Sequence, residues 1–194
     1  CLVKGGIQPI VGALVSVELL ARGPHHQGSR HKPPHLPLLV QDETGYRNLI
    51  KLLSAAYLEV EAGDWPHVTA DMLLAHADGL IALTGGPGGV INQLLAGGQR
   101  DGAREVLGKL AAAFPNRLYV ELQRHDLPEE RAAEGPLIDM AYDMGLPLVA
   151  TNDVHFGKAD MYEAHDALLC IADGSFVTQD DRRRLTREHR FKSA

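Results

Sequence analysis

Apolar residues along this chain gather into short runs set between stripes of helical period. One such run, Leu146 to Ala150, ends in Thr151-Asn152-Asp153-Val154-His155. A run this short and this apolar predicts a buried strand. Further strands are predicted near 7–17, 36–40, 79–84 and 118–123. Between them, Asp42 or Thr44 caps a helix reaching about Val60, with Tyr46, Leu49, Ile50, Leu53 and Tyr57 as its core-facing stripe. Thr69 caps a short helix through His76. Val90 to Phe114 reads as one or two helices, interrupted around Gly97-Gly98. Pro128 opens a helix that Gly145 closes, and Pro136 inside it predicts a kink or two pieces. Asp160 to Ile171 reads as a last helix, with Tyr162, Leu168, Leu169 and Ile171 apolar. Strands alternating with helices predict a parallel α/β sheet or barrel.

Composition narrows the class. The 194 residues suffice for one domain with a real core. No apolar run is long enough to span a bilayer. The two cysteines, Cys1 and Cys170, lie at opposite ends, which suggests reduced thiols in the cytoplasm and not a disulfide framework. A formal net charge of -6 argues against a dedicated nucleic-acid binder. The basic ending, Gln179 to Ala194, has little interleaved aromatic and reads as a linker or solvated arm, leaving a domain over 1–178. The opening on Cys1, with no helix before the first strand, reads as a fragment whose N-terminal part is absent.

Ten histidines are many for this length. His25, His26 and His31 fall in a loop from Ala21 to Pro37, rich in Gly and Pro, and read as solvated. His35 opens a strand. His125 follows the strand 118–123, and Asp153 with His155 follows the strand 146–150. Residues two apart on an extended backbone share a face, so Asp153 and His155 project together. At the C-terminal ends of barrel strands, a carboxylate beside an imidazole can be a metal-ligand pair; from spacing alone, a strand cap with a polar surface residue is the commoner reading of so short a pattern. Gly85-Gly86-Pro87-Gly88-Gly89 is either a tight turn with close backbone approach or a phosphate cradle. It has neither the P-loop ending nor the dinucleotide spacing.

Several runs carry a family resemblance. Gly6-Ile7-Gln8-Pro9-Ile10-Val11-Gly12, His35-Leu36-Pro37-Leu38-Leu39, Gly45-Tyr46-Arg47-Asn48-Leu49 and Gly79 to Gly85 are four of them. Tyr119 to His125, Leu148 to His155 and Glu163 to Ile171 are the others. In this order they resemble the PHP (polymerase and histidinol phosphatase) domain of bacterial family-C DNA polymerases. The loop Arg22 to Pro34 and the ending Arg187 to Ser193 resemble the error-prone, damage-inducible branch. The resemblance implies a distorted (β/α)7 barrel, incomplete at its N-terminus, with up to three divalent metal ions (zinc or manganese, or magnesium). Carried over by motif, His35, His125, Asp153 and His155 match metal ligands. The family's opening His-x-His strand is absent, and Leu14 stands where many relatives carry a Glu. Glu18 is out of register for that place. The resemblance therefore implies weak metal binding or none, and no catalytic residue is assigned. The parent protein would be a DNA-directed polymerase acting on DNA and deoxynucleotides across damage. Its partners would be the sliding clamp and mutagenesis accessory proteins, and this chain would be mainly scaffold. The alternatives are a metal-dependent phosphoesterase, as a 3′–5′ exonuclease or a histidinol-phosphatase-like hydrolase, and a plain interaction module.

Overall fold

The computed structural model describes residues 3–20, 33–61 and 63–193. Among the described residues, six strands form one sheet: β1 (Gly12–Glu18), β2 (His35–Val40), β3 (Val68–Thr69), β4 (Leu80–Leu83), β5 (Leu118–Leu122) and β6 (Leu148–Ala150). Their order is β3-β1-β2-β4-β5-β6. With its helices this is a mixed α/β unit, consistent with the incomplete barrel that the resemblance implies. β4 to β6 are parallel neighbours, as are β1 and β3, but β2 is antiparallel to both β1 and β4. The all-parallel expectation is corrected at that one strand. The reversal matters for the site. It puts the first residue of β2, His35, at the same sheet end as the last residues of the five other strands.

The first strand is shorter than expected, because residues 7–11 stay outside the ladder. Val15 and Val17 of β1 point into the core, while Leu14 on the alternate face is exposed. The helices are α1 (Glu43–Leu58), α2 (Ala70–Ala75), α3 (Val90–Ala96), α4 (Arg100–Ala113), α5 (Pro128–Asp143) and α6 (Tyr162–Asp173). Asp42 caps α1 by accepting from the Gly45 backbone N–H at 2.9 Å, and Thr69 caps α2. α5 runs through Pro136 as one element. α3 packs on α4 and α5, and Leu107, Leu110, Phe114, Leu137 and Met140 are fully buried among them. Among the described residues, no helix is long and apolar enough to cross a membrane. Cys170 is a buried free thiol.

The stripe expected for α1 is corrected. Gly45, Leu49, Leu52, Ala55 and Ala56 face the core, while Tyr46, Ile50 and Tyr57 are exposed. Two stripes of helical period lie one residue apart here. The one with smaller side chains lies inside, where the helix can approach the sheet closely.

Candidate functional site

A cavity of about 300 Å3 opens at the sheet end where β2 begins and the other strands finish. Leu14, His35, Glu121, His125, Asp153 and His189 are among its lining. Three of the four residues expected as ligands thus meet there. The fourth, His155, lies outside that lining and reaches it through Asp153, whose Oδ2 is 3.0 Å from the His155 Nε2. Glu18, left aside from sequence, pairs with His67 at 3.4 Å. His25, His26, His31 and Cys1 lie outside the described residues.

The Gly-rich turn is a close approach, and its glycines are required by contact. A Cβ on Gly88 would sit 2.0 Å from the His35 ring, and one on Gly89 would sit 2.0 Å from the Thr84 carbonyl oxygen. The turn carries no free anion cradle at its first amide. The Gly85 N–H donates to the Glu121 Oε2 at 2.9 Å. Glu121 is only 3% exposed. Its Oε1 also accepts from the Gln123 Nε2, at 3.1 Å, and from the Thr151 hydroxyl. Its backbone N–H donates to the buried Thr84 hydroxyl at 2.9 Å. One carboxylate thus ties together the ends of β4, β5 and β6.

His125 is held as tightly. Its Nδ1 meets the Glu130 Oε1 at 2.7 Å, and its backbone N–H donates to the Glu130 Oε2 at 2.6 Å. Its Nε2 accepts from the Asp153 backbone N–H at 3.2 Å, so the ring proton sits on Nδ1. Glu130 is the third residue of α5, and it also accepts from the Leu127 N–H at the helix start.

The ending, read from sequence as a linker or solvated arm, runs back over this end of the sheet. Its Thr186 hydroxyl donates to the His125 carbonyl at 2.6 Å. The His189 carbonyl accepts from the His155 N–H at 2.9 Å, and the Arg190 carbonyl accepts from the Asn152 side chain at 2.7 Å. The Phe191 N–H donates to the Phe156 carbonyl, and Lys192 reaches the Arg124 carbonyl. The His189 ring stacks on His125, with centroids 4.0 Å apart. Burial, with the His125 ring beside it, holds the His189 imidazole below its ordinary pKa.

A metal ion needs lone pairs directed at one point. Here both ring nitrogens of His125 are engaged, and Asp153 and His155 are turned on each other. Leu14 supplies no donor. Among the described residues, no three carboxylate, imidazole or thiol groups are grouped to hold a metal. As placed, the side chains do not fit the ions that the resemblance implies. They form a hydrogen-bonded knot that fixes loops and strand ends.

Glu121, Glu130 and His189 were missed from sequence. Glu130 had a signal, as an acid at the third position of a helix. Glu121 had a weaker one, as a carboxylate inside an apolar strand. His189 had none, because it reaches the cavity from an arm 64 residues beyond the His125 on which it stacks, a separation read from their numbering.

Comparison with known proteins follows the same outline. The family model described as "PHP domain" matches residues 1–125. The chain is 48% identical over 97% of its length to the DNA polymerase III subunit alpha of Caulobacter vibrioides, covering 16% of that protein. It is 36% identical over 99% of its length to the protein of the same name from Rickettsia bellii, again covering 16%. With the Thermus aquaticus protein of that name the identity is 38% over 91% of the chain, covering 14%. The chain spans about a sixth of the length of the curated relatives it matches.

Proposed function

The chain belongs to the PHP domain family, and on that premise we propose that it is the PHP domain of a bacterial DNA polymerase III alpha subunit, serving that protein as structural support. Similarity running through nearly the whole chain, 48% identical over 97% of it to one alpha subunit, carries this reading. The parent polypeptide would be a DNA-directed DNA polymerase, working on DNA and deoxynucleotides in the cytoplasm. Contacts with the sliding clamp and accessory proteins would be contacts of that parent. The knot supports a scaffold role here. His125, Glu130, Glu121 and Asp153 spend their polar atoms on loop and strand ends.

The error-prone branch is a finer reading. It rests on the loop Arg22 to Pro34, of which residues 22–32 lie outside the described residues, and on the ending Arg187 to Ser193. The relatives above bear the alpha-subunit name without that qualifier, and we side with them.

A second reading, metal-dependent phosphoester hydrolysis, is favoured by one observation: His35, His125 and Asp153 converge on one cavity. One experiment separates the two. The full-length parent is purified, its metal content is measured, and primer extension and 3′-end hydrolysis are assayed. The same is done for its Asp153→Ala/His155→Ala variant. The scaffold reading expects DNA synthesis, and a metal content and hydrolysis that do not change with the substitutions. Metal and hydrolysis lost together in the variant would establish the phosphoesterase. A parent that cannot extend a primer would sink the polymerase assignment.

A further inference from the structure

Helix α6 buries one residue of its twelve, Cys170. A helix this short is not stable by propensity alone and needs a packed face. Tyr162 and Leu169 are half-buried, but two of its large apolar residues point away from the domain. Leu168 and Ile171, three apart and so on one face, are 59% and 79% exposed. Gly174 ends the helix in the left-handed conformation, and Phe176 and Val177 follow at 71% and 55% exposure. Four exposed apolar side chains thus lie close in sequence, on the end of the helix and in the loop after it.

The loop is not merely left there. Arg182 folds back and donates to both carboxylate oxygens of Asp166 on α6, each at 2.6 Å, with its own side chain 4% exposed. It also reaches the Val177 carbonyl at 3.3 Å. Arg183 makes the same two-pronged contact with Asp173, at 3.0 and 2.9 Å. Arg184 donates to the Gln179 carbonyl, and Gln179 accepts from the Phe176 N–H at 2.7 Å. Arg182 and Arg184 thus bear on the loop that holds Phe176 and Val177, while Arg183 ties the same segment to the end of α6. A buried, two-pronged ion pair used to display apolar side chains to water makes sense only if something covers them.

Charge decides the class of occupant. Around these side chains, Arg182 pairs with Asp166, Arg183 with Asp173 and Arg187 with Glu163. Acids already neutralise these cations, which does not suit a phosphate backbone. Apolar side chains with an internally paired rim suit a permanent protein interface. Length decides the source. The relatives align along nearly this whole chain, yet it makes up only 16% of two of them. Most of such a polypeptide lies outside these residues.

We propose that the face formed by Leu168, Ile171, Phe176 and Val177 is the seat of an apolar surface from the rest of the parent polypeptide. This rests on the reading of the chain as one domain of a longer alpha subunit. The test is hydroxyl-radical footprinting of the full-length protein, native and urea-unfolded, across a dilution series. Leu168, Ile171 and Phe176 should label several-fold more slowly in the native protein than in the unfolded one, at every dilution. Native labelling as fast as in the unfolded protein overturns the proposal. Protection that fades on dilution also overturns it, because the cover would then be a second copy. Primer extension on the same preparation keeps the parent reading separate. A preparation that synthesises DNA but labels freely here loses only the interface.

Discussion

Replacing Glu121 tests whether one carboxylate holds the strand ends together. In Glu121→Ala, the buried Gly85 N–H loses its acceptor, and the Thr151 hydroxyl and Gln123 amide lose theirs. The last two are side chains that can turn to other partners or to water, whereas the Gly85 amide is fixed in direction by the backbone of its buried turn. An orphaned buried donor costs about 1–3 kcal/mol. The side-chain methylene removed beyond Cβ adds about 0.8 kcal/mol. The sum is about 3 kcal/mol. Glu121→Gln keeps the shape and one oxygen for Gly85, and a hydroxyl can rotate to accept from the new amide, so about 1 kcal/mol is expected. With a urea m-value of about 2 kcal/mol/M, the midpoint of the Ala variant should fall by about 1.5 M and that of the Gln variant by about 0.5 M. Urea unfolding followed by circular dichroism reads both. If the Ala variant unfolds with the wild type, or if Gln costs as much as Ala, the carboxylate is not the tie argued for.

Two further outcomes follow from neighbouring contacts. Gly88→Ala and Gly89→Ala both insert a methyl group 2.0 Å from an atom, but the first meets the His35 ring and the second the Thr84 backbone. The ring can swing and the backbone cannot, so Gly89→Ala should cost at least about 2 kcal/mol more in a paired denaturation series. Equal costs would mean that the ring is as immobile as the backbone. The Asp166 carboxyl is held below its ordinary pKa by the Arg182 guanidinium that donates to it. That stability is complete above the unfolded value, near pH 4, and is lost as pH falls through the lowered folded value. Melting temperatures of wild type and Asp166→Asn should therefore differ most near neutral pH and draw together below about pH 4. A gap that stays constant down to pH 3 would remove the ion pair from the explanation.

Period and punctuation in the sequence located most elements, because strand runs, caps and glycine breaks are local. Asp42, Thr69, Gly97-Gly98 and Pro128 each sit where their chemistry suggested. The stripe on α1 was misjudged because periodicity gives a face only to within one residue. Which of two adjacent stripes lies inside depends on how closely the sheet approaches, and that is a tertiary fact. Strand direction was equally beyond local reading. Nothing within β2 distinguishes parallel from antiparallel, yet its reversal is what brings His35 to the end of the sheet where β5 and β6 finish.

The candidate site shows the deeper limit. His35, His125, Asp153 and His155 were legible as residue types able to bind metal, and three of them do converge. Whether they can bind depends on where their lone pairs are spent, and that is decided by partners from elsewhere in the chain. Glu130 takes one nitrogen of His125 from the first turn of α5, and the Asp153 amide takes the other from the loop after β6. His189 covers the ring face from the ending. A motif records which atoms could coordinate. The knot shows the same atoms serving as structural hydrogen-bond partners, and removing the His125 ring would deprive buried Glu130 of one of its donors and the Asp153 amide of an acceptor, so the histidine has a structural use whether or not a metal binds. Persistence of the motif therefore carries no argument for persistence of the metal.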